Sequence, residues 1–149
     1  MSGKQREEWL NSIWPDKLTI NHSKVRECFS IESANYRQGI DSDYYENLYQ
    51  SALYLFVIGD PEDAVLIFDA KMSNFDLGCG MDYQFMLGAG LDKTIAHAQS
   101  VNRLDMVDYL EGLREDPDLP DIEEWMKFRI NYFGLATQQG AQPDAFGAG

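Results

Sequence analysis

Four side chains in the sequence could supply soft metal ligands or a nucleophile: Cys28, Cys79, His22 and His97. They form no Cys-x-x-Cys or His-x₃-His pair, so a zinc site would need ligands from four separated segments. A catalytic thiol also needs a positioned base, and sequence alone does not bring His97 to Cys79. The more common role of cysteine is a small buried hydrophobic residue. We therefore predict no catalytic residue, no metal site and no cofactor.

A glycine-rich segment, "NFDLGCGMDYQFMLGAGLDKT" at residues 74–94, is the second candidate for chemistry. A phosphate-binding loop would need glycines at the positions of Leu87 and Asp92, and the Asp92 carboxylate would repel a phosphate. We interpret the segment as a structured joint between helices, in which glycines permit tight turns and close packing. The side chains expected to anchor this joint in the core are Phe75, Leu77, Met81, Phe85 and Leu87.

Carboxylates are concentrated near the end of the chain. Between Asp105 and Glu124 there are nine acidic residues and one basic residue, Arg114. The segment lacks the alternating oxygen ligands and the glycine of an EF-hand loop. A solvated helix face with a loop is the simple interpretation, and a docking patch for basic side chains of a partner is the functional one. The residues that we predict to contact a partner are Asp116, Asp118, Asp121, Glu123, Glu124 and Trp125.

The charge of the whole chain favours a basic partner. The sequence has 25 acidic and 12 basic residues, a formal net charge of −13. Direct binding to nucleic acid or to an acidic membrane surface is disfavoured, because both need a basic face. A basic protein domain would be attracted and its approach accelerated, although the charge could also serve solubility alone. The sequence gives no indication of oligomeric state.

The elements that would position these residues are helices. Residues 5–14 form an amphipathic pattern that Pro15 ends. From Ser42, apolar residues recur at helical spacing until Gly59, a residue suited to the left-handed position after a helix. Asp60 then suits an N-cap and the following proline suits the first turn, so two antiparallel helices should form an αα-hairpin.

Helical spacing continues in the second half of the chain. Asp82 is expected to cap a helix over the apolar residues that follow it, and residues 91–113 continue the pattern. Pro117 and Pro120 interrupt it. Asp121 is expected to cap a last helix, whose apolar face carries Trp125, Phe128, Tyr132 and Leu135. Residues 15–40 remain ambiguous in the sequence.

The fold class that follows is all-α. We predict a single compact domain at residues 1–136, with about six to eight helices packed as consecutive αα-hairpins, and a flexible C-terminal tail at residues 137–149. The N-terminal residues lack the apolar core of a signal peptide, and no apolar run approaches the length of a membrane span. Two distant cysteines fit a reduced compartment, so we predict a cytoplasmic location.

The segment "KMSNFDLGCGMDYQFMLGAGLDKT", preceded by "DPEDAVLIFDA", resembles a pattern in small acidic bacterial proteins. Some of these are encoded beside polymorphic or contact-dependent toxins and are immunity proteins, which bind and neutralise a cognate toxin. The resemblance covers roughly residues 44–113. It implies a stoichiometric inhibitor of a secreted bacterial effector, such as a basic nuclease. It carries no site residue over to this chain.

The function expected from charge, size and resemblance is a non-catalytic, protein-binding inhibitor: an immunity protein that neutralises a bacterial toxin through an acidic surface. One alternative is a helical adaptor that holds a peptide in a groove between hairpins. Exposed aromatic side chains on a concave face would favour the adaptor. A cysteine-dependent enzyme using Cys79 is the third and least favoured interpretation.

Overall fold

The computed structural model describes residues 1–117 and 121–135. Within these ranges the chain forms eight α-helices and no strand, which confirms the all-α prediction and the number of helices. The boundary predicted at residue 136 and the predicted tail lie outside the described residues. The helices are α1 (Gly3–Ile13), α2 (His22–Gln38), α3 (Glu46–Ile58), α4 (Pro61–Met72), α5 (Phe75–Gly80), α6 (Leu91–Ser100), α7 (Leu104–Gly112) and α8 (Ile122–Tyr132). Short 3₁₀ helices are Thr19–Asn21, Ser42–Tyr44, Tyr83–Leu87 and Leu113–Glu115.

Helix α3 is the centre of the fold. Every residue from Asn47 to Phe56 except Tyr49 is buried, so the helix is enclosed on nearly all sides. A helix with this pattern belongs in the interior. It packs against α1, α2 and α4 and against the 3₁₀ helix Tyr83–Leu87. Helices α5 and α6 pack in turn against α4, and α7 packs against α6.

The turn between α3 and α4 has the predicted hairpin signals. Gly59 takes a left-handed conformation at φ 80° and ends α3. The Asp60 side chain accepts a 2.9 Å hydrogen bond from the backbone N–H of Glu62, and Pro61 opens α4. These three residues end one helix and start the next. They do so because each satisfies or removes a backbone N–H or C=O group that the end of a helix leaves unpaired.

The segment that was ambiguous in sequence contains α2, the longest helix, which packs closely against α3. Its pattern is unclear because polar residues occupy part of its buried face. One of them, Glu32, accepts a hydrogen bond from the buried guanidinium of Arg6 in α1. Arg6 also donates to the carboxylate of Asp41 at 2.9 Å. Ionic pairing thus replaces apolar contact where α1 meets α2.

The glycine-rich segment is a structured joint, as predicted. It contains α5 and the 3₁₀ helix Tyr83–Leu87, and four of the five expected anchors are buried. The prediction for Phe75 is wrong, because its side chain is 84% exposed at the first position of α5. The ammonium of Lys71 donates hydrogen bonds of 2.6 Å to the carbonyl oxygens of Gly78 and Met81. Lys71 therefore closes the end of α5, and burial lowers the pKa of its ammonium.

Candidate functional site

The predicted contact residues lie on both sides of the connection that leads into α8. Asp121, Glu123 and Glu124 are exposed, and Asp116 is half-buried. Asp118 lies outside the described residues. Because five peptide units join Asp116 to Asp121, their Cα atoms cannot be more than about 18 Å apart. The described members of the predicted patch are therefore held within one region of the surface.

Several exposed carboxylates in this region have no ion-pair partner among the described residues. They contrast with Asp105 and Glu111 of α7, which pair with Arg103 and Arg114. Residues 104–117 and 121–135 contain eight acidic and three basic residues, so the region is negative overall. The exposed carboxylates without an ion pair here are Asp108, Glu115, Asp121, Glu123 and Glu124.

Most arginines of the chain are already paired with carboxylates of the chain itself. Five of the six form ion pairs with one or more carboxylates of the described residues. The charge of a paired guanidinium is already balanced by its own carboxylate, so it does little to offset carboxylates farther away. Negative charge therefore remains on the exposed face of α8. The paired arginines are Arg6, Arg26, Arg103, Arg114 and Arg129.

Trp125, the predicted aromatic contact, is half-buried. Its ring packs edge-on against Phe56 and Phe85, with ring centroids 5.1 Å and 4.8 Å away. Its indole N–H donates a 2.8 Å hydrogen bond to the carboxylate of Asp82. Trp125 thus anchors α8 to the core, and its role as a partner contact stays a prediction.

The Asp82 carboxylate holds a second residue of α8. Arg129 donates to it at 2.7 Å, and the guanidinium lies 5.1 Å from the Phe85 ring centroid. The prediction that the Asp82 side chain caps the helix following it is wrong, since it makes no cap hydrogen bond. Its partners are 43 and 47 residues away, so no local spacing could have indicated them.

Two aromatic residues of α8 are exposed rather than buried. Phe128 is 59% exposed and Tyr132 is 51% exposed, and their ring centroids lie 6.2 Å apart. The Tyr132 hydroxyl donates a hydrogen bond to the carboxylate of Glu46 in α3. The sequence predicted four residues on the apolar face of the last helix. Of these, Leu135 is buried and Trp125 is half-buried, whereas Phe128 and Tyr132 are exposed.

The two cysteines differ in their surroundings. Cys79 is exposed on α5, and no hydrogen bond joins it to His97 within the described part of the chain. Cys28 is buried in α2, and burial raises the pKa of its thiol to about 12. A thiol with that pKa stays protonated at neutral pH and is a poor nucleophile. Among the described residues, neither cysteine is hydrogen-bonded to a histidine.

His22 lies in a charged cluster between α2 and α4. Its Nε2 is 2.6 Å from the buried carboxylate of Asp63, and Asp60 offers a third potential ligand atom within 4.8 Å of the others. Arg26 contacts both aspartates from the same side. The guanidinium supplies the positive charge that a metal ion would otherwise bring, so the cluster is an ionic connection between two helices.

A recess of about 150 Å³ lies between α1 and α2, lined by Trp9, Cys28 and Ile31 together with Lys24 and Glu27. Pockets that enclose small-molecule ligands usually span about 300–1,000 Å³. The recess is therefore smaller than pockets of that kind.

The comparisons with known proteins add no family to these observations: no protein-family model, no curated protein and no solved structure matches the chain. Among residues 1–117 and 121–135, none of the helices combines the length and the apolar character needed to cross a lipid bilayer.

Proposed function

We propose that the chain is a non-catalytic inhibitor that binds a basic protein partner, as immunity proteins bind their cognate toxins. The observation that carries this proposal is the distribution of charge. Five arginines are already paired with carboxylates of the fold, whereas several exposed carboxylates around α7 and α8 have no ion pair among the described residues. A surface of this kind attracts a basic domain and orients it on approach.

The inhibition would act by occupation of a surface. A nuclease binds the phosphates of its substrate through lysine and arginine side chains. Exposed carboxylates such as Asp121, Glu123 and Glu124 could pair with those cations and exclude the nucleic acid. This mechanism requires a rigid carrier for the carboxylates, which the anchoring of α8 by Trp125 and Arg129 provides. The proposed site of action is the cytoplasm.

The gene neighbourhood gives the first test. A gene for a large secreted toxin with a basic C-terminal domain should lie directly upstream, and its purified domain should bind this protein at low salt. Binding should abolish the toxin's activity at equimolar ratio, and the association rate should fall as salt is added. If the domain does not bind the purified chain at low salt, the proposal is wrong.

A charge variant tests the surface itself. The triple variant Asp121→Asn, Glu123→Gln, Glu124→Gln should associate more slowly with the toxin domain and show a weaker dependence on salt. The matched control is Glu7→Gln with Glu8→Gln, which removes two exposed carboxylates of α1. Equal association rates for the triple variant and the wild-type chain would remove this surface from the mechanism.

A further inference from the structure

The exposed edge of α8 combines aromatic rings with carboxylates. Asp121, Glu124, Phe128 and Tyr132 recur at three- and four-residue intervals, so they follow one edge of the helix. We call these four residues the α8 strip. All four are exposed, and the carboxylate of Glu46 adjoins the strip at Tyr132.

The two aromatic rings of the strip form a pair. Phe128 and Tyr132 lie side by side, with ring centroids 6.2 Å apart. Isolated exposed apolar residues such as Ile20 are ordinary on protein surfaces. Adjacent rings bordered by charged residues are typical of the small set of side chains that contribute most of the binding energy in an interface.

The rings are also held in position before any partner arrives. The Tyr132 hydroxyl donates to Glu46, and the Tyr132 ring packs edge-on against Phe133 at 5.1 Å. The guanidinium of Arg129 lies beneath both rings of the strip, 5.8 Å from Phe128 and 5.4 Å from Tyr132. Because these contacts restrict the side chains already, binding would cost little further conformational entropy.

We propose that the α8 strip is the docking surface for a basic segment of the protein partner. Arginine or lysine side chains of that segment pair with Asp121, Glu124 and Glu46, and their stems or guanidinium planes stack on Phe128 and Tyr132. This inference rests on the proposed function and gives it a binding mode. A second copy of this chain is disfavoured as the occupant, because each copy carries a net charge of −13.

Nuclear magnetic resonance tests the inference without the toxin. The probe is a short alanine-rich peptide carrying four arginines, titrated into the isotope-labelled full chain. The largest amide shifts should fall in residues 121–133 and around Glu46, and a lysine version of the peptide should bind more weakly. A peptide with glutamate in place of arginine should leave the spectrum unchanged. Shifts spread evenly over all acidic regions would overturn the inference.

A double variant tests the aromatic pair. Phe128→Ala with Tyr132→Ala should weaken arginine-peptide binding by about tenfold, a typical loss for interface anchors. The control Ile20→Ala removes an exposed apolar side chain far from α8 in sequence and should bind as the wild-type chain does. If the double variant unfolds, Phe128→Ser alone replaces it, since the Phe128 ring makes no hydrogen bond. Equal affinities for variant and wild type would contradict the inference.

The toxin domain separates failure of the inference from failure of the proposed function. If it binds the wild-type chain and the double variant equally, the strip is not the docking surface and the proposed inhibitor function stands. If it does not bind the wild-type chain, the inhibitor function fails and the peptide titration alone decides the inference. Sedimentation that shows a dimer, dissociated by the double variant, would assign the strip to self-association and overturn the inference.

Discussion

The indole N–H of Trp125 donates a 2.8 Å hydrogen bond to the carboxylate of Asp82, which joins the last described helix to the middle of the chain. The same carboxylate accepts a hydrogen bond from Arg129. One acidic side chain therefore holds two residues of α8, the helix whose exposed edge we propose to bind a partner.

Asp82→Ala should destabilise the fold and loosen α8. Hydrogen bonds to a charged acceptor contribute about 1.5–3 kcal/mol each, but Asp82 is partly exposed, so we expect a total loss of about 1.5–3 kcal/mol. Urea unfolding followed by tryptophan fluorescence measures it. Asp92→Ala, which breaks an exposed pair with Arg114, should cost less than about 1 kcal/mol. Equal losses for the two variants would contradict the anchoring role of Asp82.

Gly88→Ala should be severely destabilising. A Cβ atom at this position would lie 2.1 Å from the carbonyl oxygen of Phe56, and backbone atoms cannot move aside as a flexible side chain would. We expect a loss of about 3 kcal/mol or more from this overpacking. The matched control is Gly112→Ala. A Cβ atom there would meet nothing within 4 Å apart from its chain neighbours and its own helix backbone, so the stability should rise by about 0.4–1 kcal/mol. Thermal unfolding of both variants would show opposite shifts, and a stable Gly88→Ala protein would refute the close packing.

Asp63→Asn should cost more than its neighbour Glu62→Gln. The Asp63 carboxylate is buried between His22 and Arg26, so its removal leaves the guanidinium without its buried partner. We expect about 2–3 kcal/mol for Asp63→Asn. Glu62 contacts the same guanidinium from an exposed position, and Glu62→Gln should change stability by less than about 0.5 kcal/mol. Chemical denaturation of the two variants gives the comparison, and similar values would argue against a buried ionic connection.

Cys28 should make the protein less stable in alkaline solution. Burial raises the pKa of its thiol to about 12, whereas an unfolded cysteine titrates near about 8.5. Between these values the unfolded chain has lost the proton and the folded chain retains it. Stability is therefore fully present below about pH 8 and falls by about 1.4 kcal/mol per pH unit between about pH 9 and pH 10.

The variant Cys28→Ala isolates this effect. Its unfolding free energy should fall less steeply than that of the wild-type chain over the same pH range, whatever its absolute stability. Half-buried tyrosines such as Tyr49 titrate in both proteins, so the difference between the two slopes belongs to Cys28. Thiol labelling gives a second readout: one cysteine, Cys79, should react in the folded protein and two in denaturant. Parallel slopes would show that the thiol is not protected.

Local signals in the sequence predicted much of the fold. Gly59 ends α3 and Asp60 caps the start of α4 through contacts with nearby backbone groups. The types of these two residues are therefore enough to predict both helix ends. The buried anchors Leu77 and Met81 likewise follow from apolar character. What these positions share is that their roles are decided by the chain immediately around them.

The candidate site depended on contacts that the sequence does not reveal. Asp82 looks like a helix cap, but its carboxylate is taken by residues of α8 more than forty positions away. Trp125 and Phe128 are both aromatic and lie about one turn apart in α8, yet only the Trp125 ring packs against the core. Which ring is exposed depends on how α8 is rotated about its axis. The contacts that hold it, of Trp125 and Arg129 with Asp82 and of Tyr132 with Glu46, join residues far apart in the sequence. The docking surface proposed above shares Asp121 and Glu124 with the contacts predicted from charge, and its rings Phe128 and Tyr132 were not among those contacts.

The attachment of α8 by long side chains, with few close backbone approaches to neighbouring helices, has a consequence for motion. Segments held in this way open as separate cooperative units, at a lower free energy than global unfolding. In native-state hydrogen exchange, amides of α8 should lose protection well before those of α3. A bound partner that grips the outer edge of this helix would slow that opening and so leave a signature in exchange rates at the amides of Ile130 and its neighbours.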